Sequence, residues 1–305
     1  MIDISEKITT LREAISQAII SVSPNTIQLI KENKVPKGNI FEVSKTVGLL
    51  ATKQTPFLLP FCHNIPISNI DIDISIQEDQ IIVTSKIVSI SSTGVEMESL
   101  VSASLAALNI YDMLKPIDKN IIIKEIKLLS KKGGKSDFTE KHYNIKAAIL
   151  VVSDSIYEGK KEDKSGKIIT DFLKQKNFEL YDYQIVPDEK EKIKQKINEW
   201  INKTDIIFIT GGTGISKRDY TPEAVKEIID REIPGIAEFI RNYGFQRTPY
   251  SMLSRSISGI KDQTLIITLP GSSRGVKESL TAIIDYLPHA VKVSKINSGG
   301  HSDNT

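Results

Sequence analysis

Cysteine, histidine and tryptophan are nearly missing from this chain: its 305 residues include one Cys, four His and one Trp. A lone Cys62 excludes an internal disulfide and any cysteine-rich zinc site, so a reducing cytoplasm is the expected compartment. Neither sign of charge dominates. Forty basic side chains stand against 38 acidic ones, so no broad field draws the chain to nucleic acid or to an anionic membrane. The N-terminal "MIDISEKITT" has no apolar core of a secretion signal, and no apolar run approaches a membrane span. The composition, 40% hydrophobic and 26% charged, is that of a soluble globular protein, and the length fits two domains.

The two halves differ in texture. Residues 64–92 contain "IDIDISIQEDQIIVTSKIVSI", which alternates apolar and polar on both sides of Glu78–Gln80 and predicts an antiparallel hairpin with one buried face. A long helix is expected over 94–115, opened by Thr93 with Glu96 three residues on as a capping box. "NIIIKEIKLL" reads as a further strand, whereas "LREAISQAIISV" fits either period. The expectation for residues 1–136 is an α+β sandwich, an antiparallel sheet with helices on one face. The polar stretch "SKKGGKSDFTEKHYN", 130–144, marks the boundary, with 137–144 as the linker.

Beyond it the rhythm changes. "IKAAILVV", "FELYDYQIV", "DIIFIT" and "QTLIITL" are short apolar runs separated by helical segments near 167–177, 189–202, 222–231 and 274–287. Buried strands alternating with helices predict a doubly wound, largely parallel α/β sheet over 145–294. Residues 295–305, "KINSGGHSDNT", are expected to be a disordered tail.

"TGGTGISKRDYTPEA", 210–224, reads as strand, glycine loop, helix, with Thr221 as N-cap and Pro222 at the first helical position. Such a junction offers backbone N–H groups to a phosphate. In an open α/β sheet ligands bind beyond the carboxyl ends of the strands. "SDS" (153–155), "PDE" (187–189), "TGGTGISKRD" and "PGSSRG" (270–275) all follow strands. Parallel strands would bring Asp154, Asp188 and Asp219 beside two glycine-bearing loops, a set suited to Mg²⁺ and a nucleotide's phosphates. Taken singly, each loop is a turn and each Asp a helix cap; the convergence of four segments favours the site.

In the first half, Asp112 and Lys115 lie three apart on one helical face. Alone they read as a surface ion pair. Glu98 precedes Asp112 by fourteen residues, on nearly the same face but about 21 Å away, so one compact site needs a long ligand or another subunit to use both. "LLSKKGGKS" holds Lys131, Lys132 and Lys135, but Leu129 stands where a P-loop needs glycine. Cys62 and His63 are neighbours that point apart on an extended chain, so they form no dyad, though His63 stays open as a ligand contact.

These motifs carry two resemblances. "KGNIFEV", "PFCHNIPIS", "TGVEMESL", "NIYDMLK" and "LLSKKGGKS" make residues 1–136 similar to cyclic pyranopterin monophosphate synthases. The resemblance implies conversion of 3′,8-cyclo-7,8-dihydroguanosine triphosphate to cyclic pyranopterin monophosphate and pyrophosphate. It places Asp112 at the catalytic position with Lys37, Lys115 and Lys131 as partners, and Phe61, Cys62, His63, Met97, Glu98 and Lys135 at substrate-binding positions. Asn39 departs from the family's usual Asp. Residues 145–294 resemble molybdopterin adenylyltransferases through "VVSDS", "KSGKII", "VPDE", "TGGTGISKRDYTPEA" and "PGSSRGVKE". This second resemblance implies that molybdopterin's terminal phosphate attacks the α-phosphate of ATP. Asp188 and Asp219 are then the essential carboxylates, holding Mg²⁺ or positioning the attacking phosphate. Ser153, Asp154, Gly211, Gly212, Thr213, Gly214, Arg218, Gly271, Ser272 and Ser273 are the ligand-binding positions. Together the families imply a bifunctional enzyme of molybdenum cofactor biosynthesis and a homo-oligomer, trimeric or hexameric. The rival readings are a cofactor-binding or scaffolding protein in which one half has lost its chemistry, and an NTP-dependent enzyme of another pathway.

Overall fold

The segment that fits either period is a strand. In β1 (Thr10–Ser21) Arg12, Ala14, Ser16, Ala18 and Ile20 are buried and the residues between them are not, which is the two-residue repeat of a sheet with one covered face. The computed structural model describes residues 1–140 and 144–295, and the chain divides into units Met1–Phe138 and Thr139–Thr305.

After β1 the first unit continues as α1 (Pro24–Lys31), α2 (Ile40–Leu58), β2 (Asn69–Gln77), β3 (Gln80–Ser91), α3 (Glu96–Leu114), β4 (Ile122–Lys132) and the short α4 (Lys135–Phe138). Its sheet has the order β2-β3-β1-β4, antiparallel throughout. The β2–β3 hairpin turns at Glu78, which adopts φ +54°. Ile27 and Ile30 of α1, Ile40 of α2 and Ala103, Ala106, Ala107 and Ile110 of α3 pack on Ala18, Ile20, Ile72, Ile74, Ile81 and Val83 of the sheet. Small alanines on α3 let the helix lie close to its neighbours.

Two capping arrangements fix this layer. Asn39, in the place of an Asp, still caps α2, its carbonyl oxygen accepting from Phe41 N–H (3.0 Å) and Glu42 N–H (3.2 Å). Asp118, beyond the end of α3, accepts from Ser23 N–H (2.7 Å), the Thr26 hydroxyl (2.7 Å) and Asn120 N–H (2.8 Å). Burial opposes its ionisation, but the donors outweigh it and hold the pKa at about 2. The expected capping box of α3 is absent. The helix starts at Glu96 behind Val95 with no side-chain cap, and the Thr93 carbonyl instead accepts from the Ser91 hydroxyl. Glu96 is drawn away to Lys131.

The second unit runs β5 (Lys146–Val152), α5 (Asp154–Tyr157), α6 (Ser165–Gln175), β6 (Glu179–Val186), α7 (Lys190–Trp200), β7 (Ile206–Thr210), α8 (Thr221–Lys226), β8 (Arg231–Glu232), α9 (Pro234–Phe245), a 3₁₀ turn (Pro249–Leu253), β9 (Ser258–Lys261), β10 (Thr264–Leu269), α10 (Ser273–Ile283) and α11 (Leu287–Ser294). The sheet order is β6-β5-β7-β10-β9-β8. Its first four strands are parallel, and β9 and β8 add antiparallel at one edge. Alternate residues Ala148, Leu150, Val152, Ile207 and Ile209 pack against Ile193, Ile197 and Trp200 of α7 and Ala224 and Val225 of α8. The intervening Ala147, Ile149, Ile206 and Phe208 are equally buried, so the sheet is covered on both sides.

The helix expected over 222–231 stops at Lys226. Asp230 N–H bonds to the Ile260 carbonyl (2.8 Å), and the chain leaves the helix to pair as β8 with β9. Its cap is Tyr220, with Thr221 already the first helical residue and buried. The expected tail lies outside the described residues except for Lys295, and so do residues 141–143 of the expected linker. Among the described residues no helix is long and apolar enough to cross a membrane.

Candidate active sites

Because β5, β6, β7 and β10 are parallel, the segments after Val152, Val186, Thr210 and Leu269 emerge at one sheet edge, and side chains tie them together. Asp154 and Asp188 exchange backbone-to-carboxylate bonds, Asp188 N–H to Asp154 Oδ1 at 3.1 Å and Asp154 N–H to Asp188 Oδ2 at 3.3 Å. Arg218 reaches the other oxygen of Asp154 at 2.9 Å. Asp219 Oδ2 accepts from Ser216 N–H at 2.8 Å. The second glycine loop is held by Thr210 and Ser165, whose hydroxyls donate to the carbonyls of Pro270 (2.7 Å) and Gly271 (2.9 Å). Ser272 caps α10 through Gly275 N–H, Ser273 opens that helix, and Ser153 lies 3.2 Å from Ser155, hydroxyl to hydroxyl. Thr213 is buried against Leu269.

The two glycine loops touch: a Cβ on Gly271 would stand 3.3 Å from the Cα of Gly211. Gly212 adopts φ +61°, and a Cβ there would stand 2.4 Å from Thr221 Oγ1 and 2.8 Å from Asp188 Oδ1. Both of those oxygens are buried and, among the described residues, lack a hydrogen-bond partner. Burial raises the Asp188 pKa, and the Asp154 and Asp219 carboxylates add to the rise, against the opposing hydrogen bond from Asp154 N–H and a weaker pull from Arg218. An orphaned carboxylate oxygen under the field of two more carboxylates is the electrostatic signature of a cation-accepting position. Among the described residues no group of three or more His, Cys, Asp or Glu side chains is arranged to hold a metal by itself. Mg²⁺ is commonly held by one or two carboxylates together with substrate phosphates, and the orphaned Asp188 oxygen beside the Asp219 charge is compatible with that arrangement. Beside the loops opens a cavity of about 260 Å³ lined by Thr213, Gly214, Gly244, Tyr250, Gly271 and Ser272.

One residue that sequence reasoning missed stands here. Arg255, from the segment before β9, donates to the carbonyls of Gly214 and Asp219, each at 2.6 Å, and pairs with Glu223. Its only signal in the chain is a single arginine in the serine-rich "SMLSRSIS".

In the first unit the structure unites residues 75 apart in sequence. Lys37 Nζ lies 2.5 Å from Asp112 Oδ2 and donates to the Asp112 carbonyl at 2.8 Å, while Lys115 reaches Oδ1 at 2.8 Å. Hydrogen bonds from Lys115 and then Lys37 hold the Asp112 pKa at about 2, and that of Lys115 rises in return. The group is thus a carboxylate between two ammonium ions, all half open to solvent.

The opposite end of α3 holds a different set. Glu98 is buried, with 3% of its surface exposed, and burial, aided by the charge on Glu96, raises its pKa. Burial likewise raises Cys62, and the charge of Glu98 adds to it. Lys131 pairs with Glu96 at 3.1 Å rather than with Asp112. Phe61 and Met97 are exposed, Lys135 opens α4, and the His63 ring bonds the Ile2 carbonyl at 2.8 Å.

Comparison with known proteins matches this division. Residues 1–134 match the MoaC family, and residues 148–289 match the probable molybdopterin binding domain. A "Molybdenum cofactor biosynthesis bifunctional protein" of Chlorobaculum tepidum is 37% identical over 303 residues, covering 99% of this chain and 96% of that protein. The protein of the same description from Synechococcus elongatus is 34% identical, with 97% of each chain covered. A "Cyclic pyranopterin monophosphate synthase" of Aquifex aeolicus is 33% identical over 90% of this chain and 92% of its own length.

Proposed function

Because the chain belongs to the family of bifunctional molybdenum cofactor biosynthesis proteins, we propose that each unit performs one reaction of that pathway. The first forms cyclic pyranopterin monophosphate from the cyclic dihydroguanosine triphosphate and releases pyrophosphate. The second adenylates molybdopterin with Mg·ATP in the cytoplasm. The observation that carries this reading is that one chain holds both an intact Asp112–Lys37–Lys115 cluster and an intact Asp154–Asp188–Asp219 edge.

In the first unit the roles follow from charge. Asp112, ionised at neutral pH, is an acceptor of protons, while the ammonium groups of Lys37 and Lys115 face the substrate's phosphates and offset the charge that develops as pyrophosphate leaves. Glu98, displaced toward the neutral form, suits a hydrogen bond to the purine-derived ring system, with Phe61, Cys62, His63 and Met97 around it and Lys131 and Lys135 as further cations. The separation of the two ends of α3, about 21 Å by helical rise, favours an oligomer in which Glu98 and Lys131 of one copy approach Asp112 of another.

In the second unit the N–H groups of Gly212, Thr213 and Gly214 receive phosphate oxygens, with Gly271, Ser272 and Ser273 facing them and Ser153 and Arg218 at the rim; Gly211, expected to join them, turns its N–H to the Leu269 carbonyl (3.4 Å) and shapes the loop from behind. Asp188 and Asp219 would hold Mg²⁺, which when bound would supply positive charge to the phosphates. The molybdopterin phosphate oxygen forms a bond to the α-phosphorus of ATP, and the bond to the β-phosphate oxygen breaks to release pyrophosphate. The test is to assay the purified chain for both products: pyrophosphate released from Mg·ATP only when molybdopterin is present, and cyclic pyranopterin monophosphate formed without ATP. Absence of either product from a folded chain overturns that half of the proposal.

A further inference from the structure

We propose that Arg255 is a positioning residue for the adenylating site: it clasps both ends of the Gly214–Asp219 loop and thereby sets where the Asp219 carboxylate stands. The inference rests on the adenylation reading but is carried by a separate geometry.

Between Gly214 and Asp219 the chain makes an exposed excursion through Ile215, Ser216, Lys217 and Arg218. Its middle is held by a turn of its own, with Asp219 N–H bonded to the Ser216 carbonyl at 3.1 Å, and by Arg218 pairing with Asp154 at 2.9 Å; where the turn stands relative to the sheet edge depends on what ties its two ends. Arg255 does this with three donors of one planar group. Nε takes the Gly214 carbonyl and Nη2 the Asp219 carbonyl, each at 2.6 Å, and Nη1 takes the Glu223 carboxylate in the first turn of α8. Its own backbone N–H adds a fourth tie, to the Thr213 carbonyl at 2.9 Å. The loop ends and the helix that follows are therefore fastened to one rigid fork, a geometry a lysine's point charge cannot reproduce.

The direction of these bonds separates positioning from ligand binding. Nε and at least one N–H on each terminal nitrogen are turned to protein oxygens, so the fork is already occupied on the loop side. The carboxylate of Asp219 points the other way, to Ser216 N–H and toward Gly214, where a Cβ would stand 2.9 Å from its Oδ2. Arg255 thus acts on the backbone of Asp219 and leaves its carboxylate for the reaction. Glu223 gains as well: burial alone would raise its pKa, but the Arg255 bond and charge bring it below the usual carboxylate range.

The experiment uses the full chain with Arg255→Gln, Arg255→Lys and Glu223→Gln. Three quantities are read: kcat and KM for Mg·ATP, the rate of trypsin cleavage after Lys217 and Arg218, and synthase activity of the first unit as a control for an intact chain. The expected result for Arg255→Gln is a kcat lower by about 10- to 100-fold with KM for ATP changed less than threefold, as for a catalytic carboxylate displaced by about an ångström, together with cleavage at Lys217–Arg218 at least tenfold faster. Arg255→Lys restores part of both, and Glu223→Gln, which keeps the two carbonyl ties, gives a smaller effect of the same pattern. A raised KM at unchanged kcat and unchanged cleavage would mean that Arg255 is a direct phosphate ligand and overturns the proposal. So does normal trypsin resistance in every variant. Cleavage needs no turnover, so the clasp is tested even if the chain proves to adenylate nothing.

Discussion

Replacing Asp188 with Asn should stabilise the second unit while abolishing its activity. One oxygen of Asp188 is buried without a partner, and Asp154 and Asp219 bring two further carboxylates to the same edge. A buried group left unsatisfied costs about 1–3 kcal/mol. The amide of Asn keeps the shape and the oxygen that accepts from Asp154 N–H but puts a buried NH₂ in place of the orphaned oxygen, so only the charge-dependent part of that cost is removed. Taking the low end, because Arg218 already offsets part of the repulsion, the gain at neutral pH is about 1 kcal/mol, or a rise of about 2–4 °C in the unfolding midpoint of a unit of this size. The sign with pH is also fixed. The folded pKa lies above the unfolded value of 3.8, so the native state binds the proton first, and the wild type gains stability as pH falls through the raised pKa toward 3.8. The Asn variant has no such gain, so its advantage should shrink between pH 8 and about pH 4, close to the unfolded value. Thermal unfolding of the full chain at both pH values and molybdopterin-dependent pyrophosphate release are the measurements. A variant less stable than wild type at pH 8, or an advantage that grows in acid, refutes the charge argument; near-normal turnover refutes the placement of Asp188 in the reaction.

Asp112→Asn should reduce formation of cyclic pyranopterin monophosphate at least 100-fold and leave adenylation within twofold, and equal loss of both would show that the units are not independent. Lys131→Ala should remove about 2–4 kcal/mol of transition-state stabilisation from the first reaction, by analogy with a lost oxyanion donor, and leave Asp112 paired; an unchanged kcat/KM marks Lys131 as surface charge. Asp118→Asn should cost the first unit about 2 kcal/mol at neutral pH, from the drop of the folded pKa from 3.8 to about 2. That deficit should vanish as the pH falls from about 4 toward 2, where the wild type loses the same stabilisation, and a deficit independent of pH in urea titrations rejects the capping account. Gly212→Val should weaken ATP binding and cost at least 1–2 kcal/mol for the left-handed backbone alone, measured by calorimetry and thermal unfolding; wild-type affinity would mean that no phosphate approaches Gly212.

How much of this was legible in the chain depended on whether the cause was local. The hairpin over β2 and β3 and the four parallel strands were readable because alternation and short apolar runs are local consequences of burial. β1 was ambiguous because its polar members, Arg12, Ser16 and Gln17, blur the alternation, and pairing with β3 and β4 on both sides decided it. The α3 cap was misjudged because a distant lysine competes for Glu96, and the end of α8 because an antiparallel edge strand pulls the chain away. The conjunction of Asp154, Asp188 and Asp219 followed from strand direction alone. That Asp188 carries the orphaned oxygen, and that Arg255 grips the loop from a segment 36 residues on, could not be inferred before the tertiary structure placed them.

The two units handle their carboxylates in opposite ways, and the difference bears on the chemistry each can perform. Asp112 lies at the surface between two ammonium groups that hold it ionised across the neutral range, so it can accept a proton from a bound substrate only after that substrate displaces a lysine partner. A triphosphate, richer in charge than one carboxylate, is a competitor that draws the lysines away. Substrate binding would itself then loosen the base, raising its affinity for a proton when one must be taken. Asp188 has the converse problem, being held partly buried with its like-charged neighbours and no ammonium group of its own. On the proposed adenylation, positive charge arriving with the nucleotide would relieve it. On the proposed reactions, each free site is electrostatically incomplete in a sense its own substrate would repair, Asp112 over-neutralised and open to an anion, Asp188 under-neutralised and open to a cation.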